Sequence, residues 1–261
     1  MLSYQHSYHA GNAADVHKHA ILAWVLSYLT RKDKALSYLE THAGRGLYDL
    51  GAASALKTGE AQAGVGRLLD RFAQDHPWRS AVEALRNREG DQCYPGSPLL
   101  AAHLLRRFDR IDLAELHPQE YDALCAAMPE SPNTRLHKRD GWEMAKALTP
   151  PDPRRGVLLI DPSWEVRGDY DLVAALLPRL HRKWGVGVLM LWYPLLADRR
   201  HAPMLRQLRT ALPDMLVSEV RFPVARAGHG MQGSGMAVVN PPWGLAEEAT
   251  RLTQIFQEDT Q

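Results

Sequence analysis

Strand-length apolar runs that recur along the chain, with stretches of helical spacing between them, constrain this sequence more than any other feature. Candidate strands are Leu36 to Glu40, Ile111 to Leu116, Thr134 to Lys138, Val157 to Ile160, Val186 to Trp192, Leu216 to Phe222 and Gly235 to Val239. Helix-like apolar spacing fills Ala20 to Leu29, Glu120 to Met128, Trp142 to Leu148, Tyr170 to Trp184 and Pro203 to Leu212. This alternation predicts an α/β fold with one doubly wound, largely parallel sheet of seven strands. The interval between the first two strands is too long for one crossover helix. Residues 47–93 have helical composition (Ala61 to Phe72, Trp78 to Asn87) and no convincing strand run, so they read as a helical insertion within a single domain spanning 1–261. No internal repeat or low-complexity tract is visible. Pro150-Pro151-Asp152-Pro153 reads as a stiff loop entering the fourth strand.

Composition removes several function classes. With 31 basic and 30 acidic side chains in 261 residues, the chain lacks the broad positive surface that coats polyanions, so any nucleic-acid contact is focal. Its apolar runs fall short of the ~18 to 20 residues of a bilayer span, since Ala20 to Leu29 stops at Thr30-Arg31-Lys32. The first six residues have neither a basic nor an apolar region of a secretory signal. A cytoplasmic location is the expectation. Cys93 and Cys125 are the only cysteines and read as two buried, reduced thiols. Basic clusters at Arg31 to Lys34, Arg106-Arg107-Arg110, Arg135 to Arg139, Arg179 to Lys183 and Arg199-Arg200-His201 are scattered, as on solvated helix faces.

The residues that could carry chemistry lie where strands end. After the first strand comes Thr41-His42-Ala43-Gly44-Arg45-Gly46, whose small residues let backbone approach a ligand or simply make a tight turn. It is neither the dinucleotide nor the phosphate-loop glycine pattern. The second strand ends at Glu115, where an acid can accept hydrogen bonds from ribose hydroxyls, and the third in Asp140-Gly141. Three consecutive strands thus deliver acids or glycines to one edge. At the end of the fourth stands Asp161-Pro162-Ser163-Trp164. An isolated Asp-Pro turn is ordinarily a loop, but acid, proline and aromatic at this spacing have a use in methylating an exocyclic amine. The amine lone pair is conjugated into the base, and a carboxylate accepting its hydrogens favours the pyramidal nitrogen while an aromatic stacks on the ring. Asn240-Pro241-Pro242-Trp243 fits such a motif more literally. Position favours Asp161 if the sheet follows the methyltransferase pattern, in which the fourth strand adjoins the first and the last strand, inserted antiparallel, points its C-terminal end to the opposite edge.

The N-terminus gathers Tyr4, His6, Tyr8, His9, Asn12, Asp15, His17, Lys18 and His19 ahead of an apolar helix. No cysteine accompanies these histidines and no His-Glu-x-x-His helix is present, so no metal site is expected. Tyr and His suit stacking on an unpaired base and Lys18 suits an anion, although Asn12 or Asp15 could also serve as a helix cap.

Taken together, the chain resembles the RlmJ family of bacterial 23S ribosomal RNA adenine-N6 methyltransferases. The resemblance rests on the segments from Leu2 to Asn12, Ala14 to His19, Thr41 to Gly44, Tyr94 to Pro98, Glu115 to Pro118, Asp140-Gly141, Leu191 to Pro194 and Asn240 to Trp243, which occur in family order. It implies a Rossmann-like class I S-adenosylmethionine-dependent methyltransferase sheet with the last strand antiparallel. It further implies that His19, His42, Ser97, Glu115, Asp140, Gly141 and Asp161 contact S-adenosylmethionine, with Glu115 holding the ribose. Asp161 would be the catalytic acid, and Tyr4, His6, Lys18 and Trp164 would meet the substrate. The implied partner is 23S rRNA, protein-free or in an early assembly intermediate, with no membrane and no obligate protein partner. Two departures stand out: Ser163 and Trp164 replace the second proline and the tyrosine of the family's Asp-Pro-Pro-Tyr, and the chain is shorter after Trp243. Trp164 keeps a stacking face, whereas Ser163 loosens the turn. Two other readings remain open at this point: a DNA adenine methyltransferase, and a cofactor- and RNA-binding protein with weakened catalysis.

Overall fold

The computed structural model describes residues 6–223 and 230–258. A 3₁₀ turn (His6–Tyr8) leads into α1 (Ala13–Thr30), and β1 (Ser37–Glu40) follows. The insertion holds β2 (Leu47–Asp49), three short helices α2 (Ala53–Thr58), α3 (Glu60–Ala63) and α4 (Val65–Leu68), then α5 (Pro77–Glu89) and β3 (Cys93–Pro95). Alternation resumes with α6 (Ser97–Leu104), β4 (Arg110–Ala114), α7 (Pro118–Ala127), β5 (Thr134–His137), α8 (Gly141–Leu148), β6 (Gly156–Ile160), α9 (Asp169–Lys183) and β7 (Val188–Leu196). It ends with α10 (His201–Ala211), β8 (Leu216–Arg221), β9 (Met231–Val239) and α11 (Leu245–Glu258).

The described strands form a seven-stranded sheet in the order β5-β4-β1-β6-β7-β9-β8, parallel except for β9, which runs antiparallel to both β7 and β8. This is the predicted doubly wound sheet with its last strand inserted in reverse. Every residue of β1 and β6 is buried, as expected of central parallel strands covered on both faces. The chain winds outward from β1 in both directions, to β4 and to β6. A crevice therefore opens at the carboxyl ends of these strands, the usual ligand position in open α/β sheets.

Two strands outrun the sequence expectation. β7 continues past Leu191, the last residue in register with β6, and there Pro194 sits on a strand with one neighbour rather than two. β9 begins at Met231 rather than Gly235. A Cβ on Gly235 would lie 2.2 Å from the Tyr193 ring, so this glycine marks close packing within the ribbon.

The insertion corrects the expectation that 47–93 lacks strands. β2 and β3 pair antiparallel, Leu47 opposite Pro95, and close the excursion at its base. Three-residue strands are too short to show alternation. Val65, Leu68, Trp78, Val82 and Leu85 of the insertion join Val16 and Leu22 of α1 in one hydrophobic cluster. The insertion also grips the N-terminal segment, since Val65 N donates to Gly11 O at 2.8 Å and His9 Nδ1 pairs with the buried Glu60 carboxylate at 3.0 Å. At its far side His76 Nε2 meets Glu248 of α11 at 3.0 Å. The apolar pattern announces neither α11 nor α6, where Pro98 in the first turn is a helix start rather than a helix break. The free thiols are not buried as expected, Cys93 being partly exposed and Cys125 exposed. Among the described residues no helix is long and apolar enough to cross a membrane.

Candidate active site

A cavity of about 560 Å³ occupies the crevice. It is lined by His6, Lys18, His19, His42, Ser97, Glu115, Asp140, Gly141, Asp161 and Trp164, residues brought together from the N-terminal 3₁₀ turn, from α1 and from the ends of β1, β3, β4, β5 and β6. These are the sequence-predicted site residues other than Tyr4, which lies outside the described residues.

One half of the cavity is built around the β1–β4 switch. The amides of Gly44 and His117 donate to the two oxygens of Glu115 at 2.8 and 2.7 Å. Burial raises the Glu115 carboxyl above the usual range while these amides oppose the rise. Gly44 has φ +62, a conformation glycine adopts without strain. Asp140 caps α8 by accepting the Glu143 amide at 2.9 Å. A Cβ at Gly141 would lie 1.9 Å from the Thr41 carbonyl oxygen, so glycine is what lets α8 start against the end of β1. His42 shares a 2.7 Å hydrogen bond with Thr41 Oγ1 and stands edge-on to Trp142. His19 bonds Tyr94 Oη through Nδ1 at 2.8 Å. Burial lowers His42 to about 4 and His19 to about 3, so both rings are neutral near pH 7. The Nε2 of His19 is buried without a hydrogen-bond partner, a polar atom poised for a ligand.

Below this half lies Glu40, which the sequence reading passed over. The hydroxyls of Ser97 and Tyr38 both bond its carboxyl, the latter at 2.8 Å, and burial pushes its pKa up to about 8. An acid closing an otherwise apolar strand, Tyr38-Leu39-Glu40, was the available signal. Because the folded value exceeds the unfolded one near 4.5, Glu40 contributes stability that is complete below pH 4.5 and lost as pH rises to about 8. Glu40→Gln, which cannot ionise, is expected to flatten the decline of Tm between pH 5 and 8.5. An unchanged slope in thermal melts would sink this assignment.

The other half centres on Asp161, the residue after β6. Lys18 Nζ donates to Asp161 Oδ2 at 2.6 Å and reaches Asp15 Oδ1 at 3.0 Å. The opposite oxygen of Asp15 accepts the Gly11 amide at 2.9 Å and meets His6 Nε2 at 2.9 Å. Burial alone would raise the Asp15 carboxyl, yet His6, Lys18 and His19 together hold it well below the ordinary range. Burial alone would likewise lower the Lys18 ammonium, and the two aspartates raise it well above its ordinary value. The histidines of this segment therefore go to separate partners, His17 to Ser218 and Ser234, His9 to Glu60, His6 to Asp15. No group of three metal-capable side chains converges among the described residues.

Trp164 departs from expectation. It borders the cavity, but with φ +59 its ring turns inward against Tyr170, centroids 4.5 Å apart, leaving 4% of the residue exposed. Most of the stacking face expected there is taken up by the core.

Asn240 ends β9 at the opposite edge of the sheet, as its antiparallel direction requires. Its amide donates to the carbonyls of Gly185 and Gly187 at 2.9 and 2.8 Å and so ties down the α9–β7 loop. Asn240→Ala is expected to cost roughly 1–3 kcal/mol, read as a lower Tm, with the chemistry of the cavity unaffected. A large rate loss in folded protein would contradict that structural role.

Comparison with known proteins accords with this arrangement. The family model described as Ribosomal RNA large subunit methyltransferase D, RlmJ, matches residues 33–260. Ribosomal RNA large subunit methyltransferase J of Escherichia coli is 38% identical over 256 residues, covering 97% of this chain and 91% of that protein. The Haemophilus influenzae protein of the same description is 39% identical over 257 residues, covering 97% and 92%. The crystal structure of a Legionella pneumophila protein superposes with a TM-score of 0.87 at 32% identity, over 97% of this chain and 94% of that one. With most of its length matched by the family and by relatives well above 30% identity, this chain belongs to the RlmJ family of ribosomal RNA large subunit methyltransferases.

Proposed function

We infer that the protein transfers a methyl group from S-adenosylmethionine to N6 of an adenine in 23S ribosomal RNA. The observation that carries this reading is the Asp161 carboxylate, held by a buried lysine at the end of β6 and opening on the same cavity as Glu115, Asp140 and Gly141. Residues 1–261 are taken as one domain, with the insertion continuous with its core.

The donor set suits the cofactor. Glu115, with each oxygen already oriented by a backbone amide, has lone pairs left for a ribose diol, and the unpartnered Nε2 of neutral His19 offers one more polar contact. Asp140 and Gly141 would border its adenine, and His42 and Ser97 would complete the pocket. Bound there, S-adenosylmethionine supplies an electrophilic methyl group on a cationic sulfur, with its own leaving group. The protein's part is positioning. Asp161 accepts the hydrogens of the N6 amine through its carboxylate oxygens, favouring the pyramidal nitrogen whose lone pair can attack. Lys18 fixes that carboxylate through its hydrogen bond, and Asp15 with His6 fixes Lys18. His6 borders the cavity where a base taken out of its stack must enter, and Tyr4 is the residue of the same segment proposed to meet that base. The substrate is transcribed in the cytoplasm, so the enzyme acts there, on protein-free rRNA or an early assembly intermediate.

The test is tritium transfer from labelled S-adenosylmethionine to protein-free 23S rRNA from a deletion strain. Incorporation as N6-methyladenosine, with none into DNA, is the expected result. Labelling of DNA would select a DNA adenine methyltransferase, and calorimetric binding of cofactor without product would select a binding protein.

A further inference from the structure

A base presented to Asp161 needs an aromatic surface beside it, and the motif aromatic, Trp164, is packed into the core. Of the other cavity aromatics, Trp142 stands edge-on to His42 near α8, and Tyr48 is buried beneath Gly44 with His6 against its ring. Trp192 is different. It lies on β7, the strand next to β6, and the register Ile160 opposite Leu191 sets Asp161 and Trp192 level across the two strands. Its ring is half-buried and borders the cavity beside Pro194, Leu196 and Met231. Lys18 Nζ sits 5.8 Å from the ring centroid while bonded to Asp161, so one ammonium group contacts both the indole and the carboxylate.

The indole is also anchored. Its Nε1–H donates to Ser234 Oγ at 2.9 Å, Ser234 bonds His17 Nδ1 at 2.9 Å, and His17 Nε2 bonds Ser218 Oγ at 3.0 Å. His17 is fully buried, and burial lowers it to about 3, so the ring stays neutral and its bonds do not alter near pH 7. This chain of bonds ties Trp192 to β9, α1 and β8. His17 and Lys18 are neighbours on α1, so the helix that orients the carboxylate's partner also fixes the ring.

Resting on the methyltransferase reading above, we propose that Trp192 is the surface on which the target adenine stacks, with Ser234 and His17 as positioning residues for its ring. Base-on-aromatic stacking sets the expected size of the effect at about tenfold to a hundredfold. Trp192→Ala should raise KM for the rRNA by that factor with S-adenosylhomocysteine affinity within about twofold of wild type, and Trp192→Phe, which keeps an aromatic face, should recover most of the loss. A second measurement does not depend on turnover: adenosine monophosphate added to protein saturated with S-adenosylhomocysteine should quench tryptophan emission, and Trp192→Phe should abolish that quenching. Ser234→Ala should weaken quenching without removing it. The proposal is overturned if Trp192→Phe quenches like wild type, or if folded Trp192→Ala keeps the wild-type KM, or if its loss appears equally in cofactor affinity. Absence of any methylation by the wild-type protein would instead defeat the underlying reading, leaving the quenching experiment to judge Trp192 separately.

Discussion

Asp161→Ala is expected to lower single-turnover methylation of 23S rRNA by at least about 10²-fold, the usual consequence of removing a preorganised acceptor from the reacting group. Cofactor affinity should change little, because Glu115, Asp140, His19 and His42 stand on other strands and helices and keep their own partners. The fold should survive as well, since Lys18 retains Asp15 at 3.0 Å. Asn240→Ala serves as the companion measurement, a change in the more literal proline motif at the opposite sheet edge. If the two variants ranked the other way in folded protein, the choice of catalytic residue would be wrong.

Lys18→Met should be the most damaging single change to stability in the site. It leaves the buried Asp15 with the Gly11 amide, His6 and the more distant His19 ring, and strips Asp161 of its ion pair. Removing one partner of a buried ion pair costs roughly 3–5 kcal/mol, and turnover should fall with it because the Asp161 carboxylate is no longer oriented. The pH dependence follows from the two shifts. Asp15 is depressed, so its contribution is present above the unfolded value of 3.8 and lost as pH falls through the folded one. Lys18 is raised, so its contribution is complete below 10.5 and lost as pH rises through the folded value. The Tm gap between wild type and Lys18→Met is therefore widest near neutral pH and narrows in acid and in strong base. A gap that is absent at neutral pH would mean that the Asp15–Lys18–Asp161 chain contributes nothing.

Much of this architecture was legible because it depends on local pattern. Apolar runs mark β1, β4, β5 and β6 almost to the residue, and each ends in a group the site uses. The direction of the last strand comes from the family resemblance rather than from local pattern, and the antiparallel pairing of β9 with β7 puts Asn240 at the edge opposite Asp161 as that direction requires. What escaped depends on residues far apart in sequence. Lys18 and Asp161 are 143 positions apart, and nothing near either one signals their pairing. The raised pKa of Glu40 depends on complete burial, which outweighs the opposing hydrogen bond from Ser97, and Ser97 reads as part of a turn until α6 is seen to begin there. Trp164 was expected to present a face because its motif partners do so, whereas the backbone at φ +59 turns it toward Tyr170. β2 and β3 are simply too short for a period-two signal.

The central claim concerns one modified nucleotide in a defined RNA, and mass spectrometry of 23S rRNA from a deletion strain addresses it directly. The account predicts that N6-methyladenosine disappears from one position, returns on complementation with the wild-type chain, and does not return with Asp161→Ala expressed at equal level. Full methylation in the deletion strain, or restoration by Asp161→Ala, would contradict it.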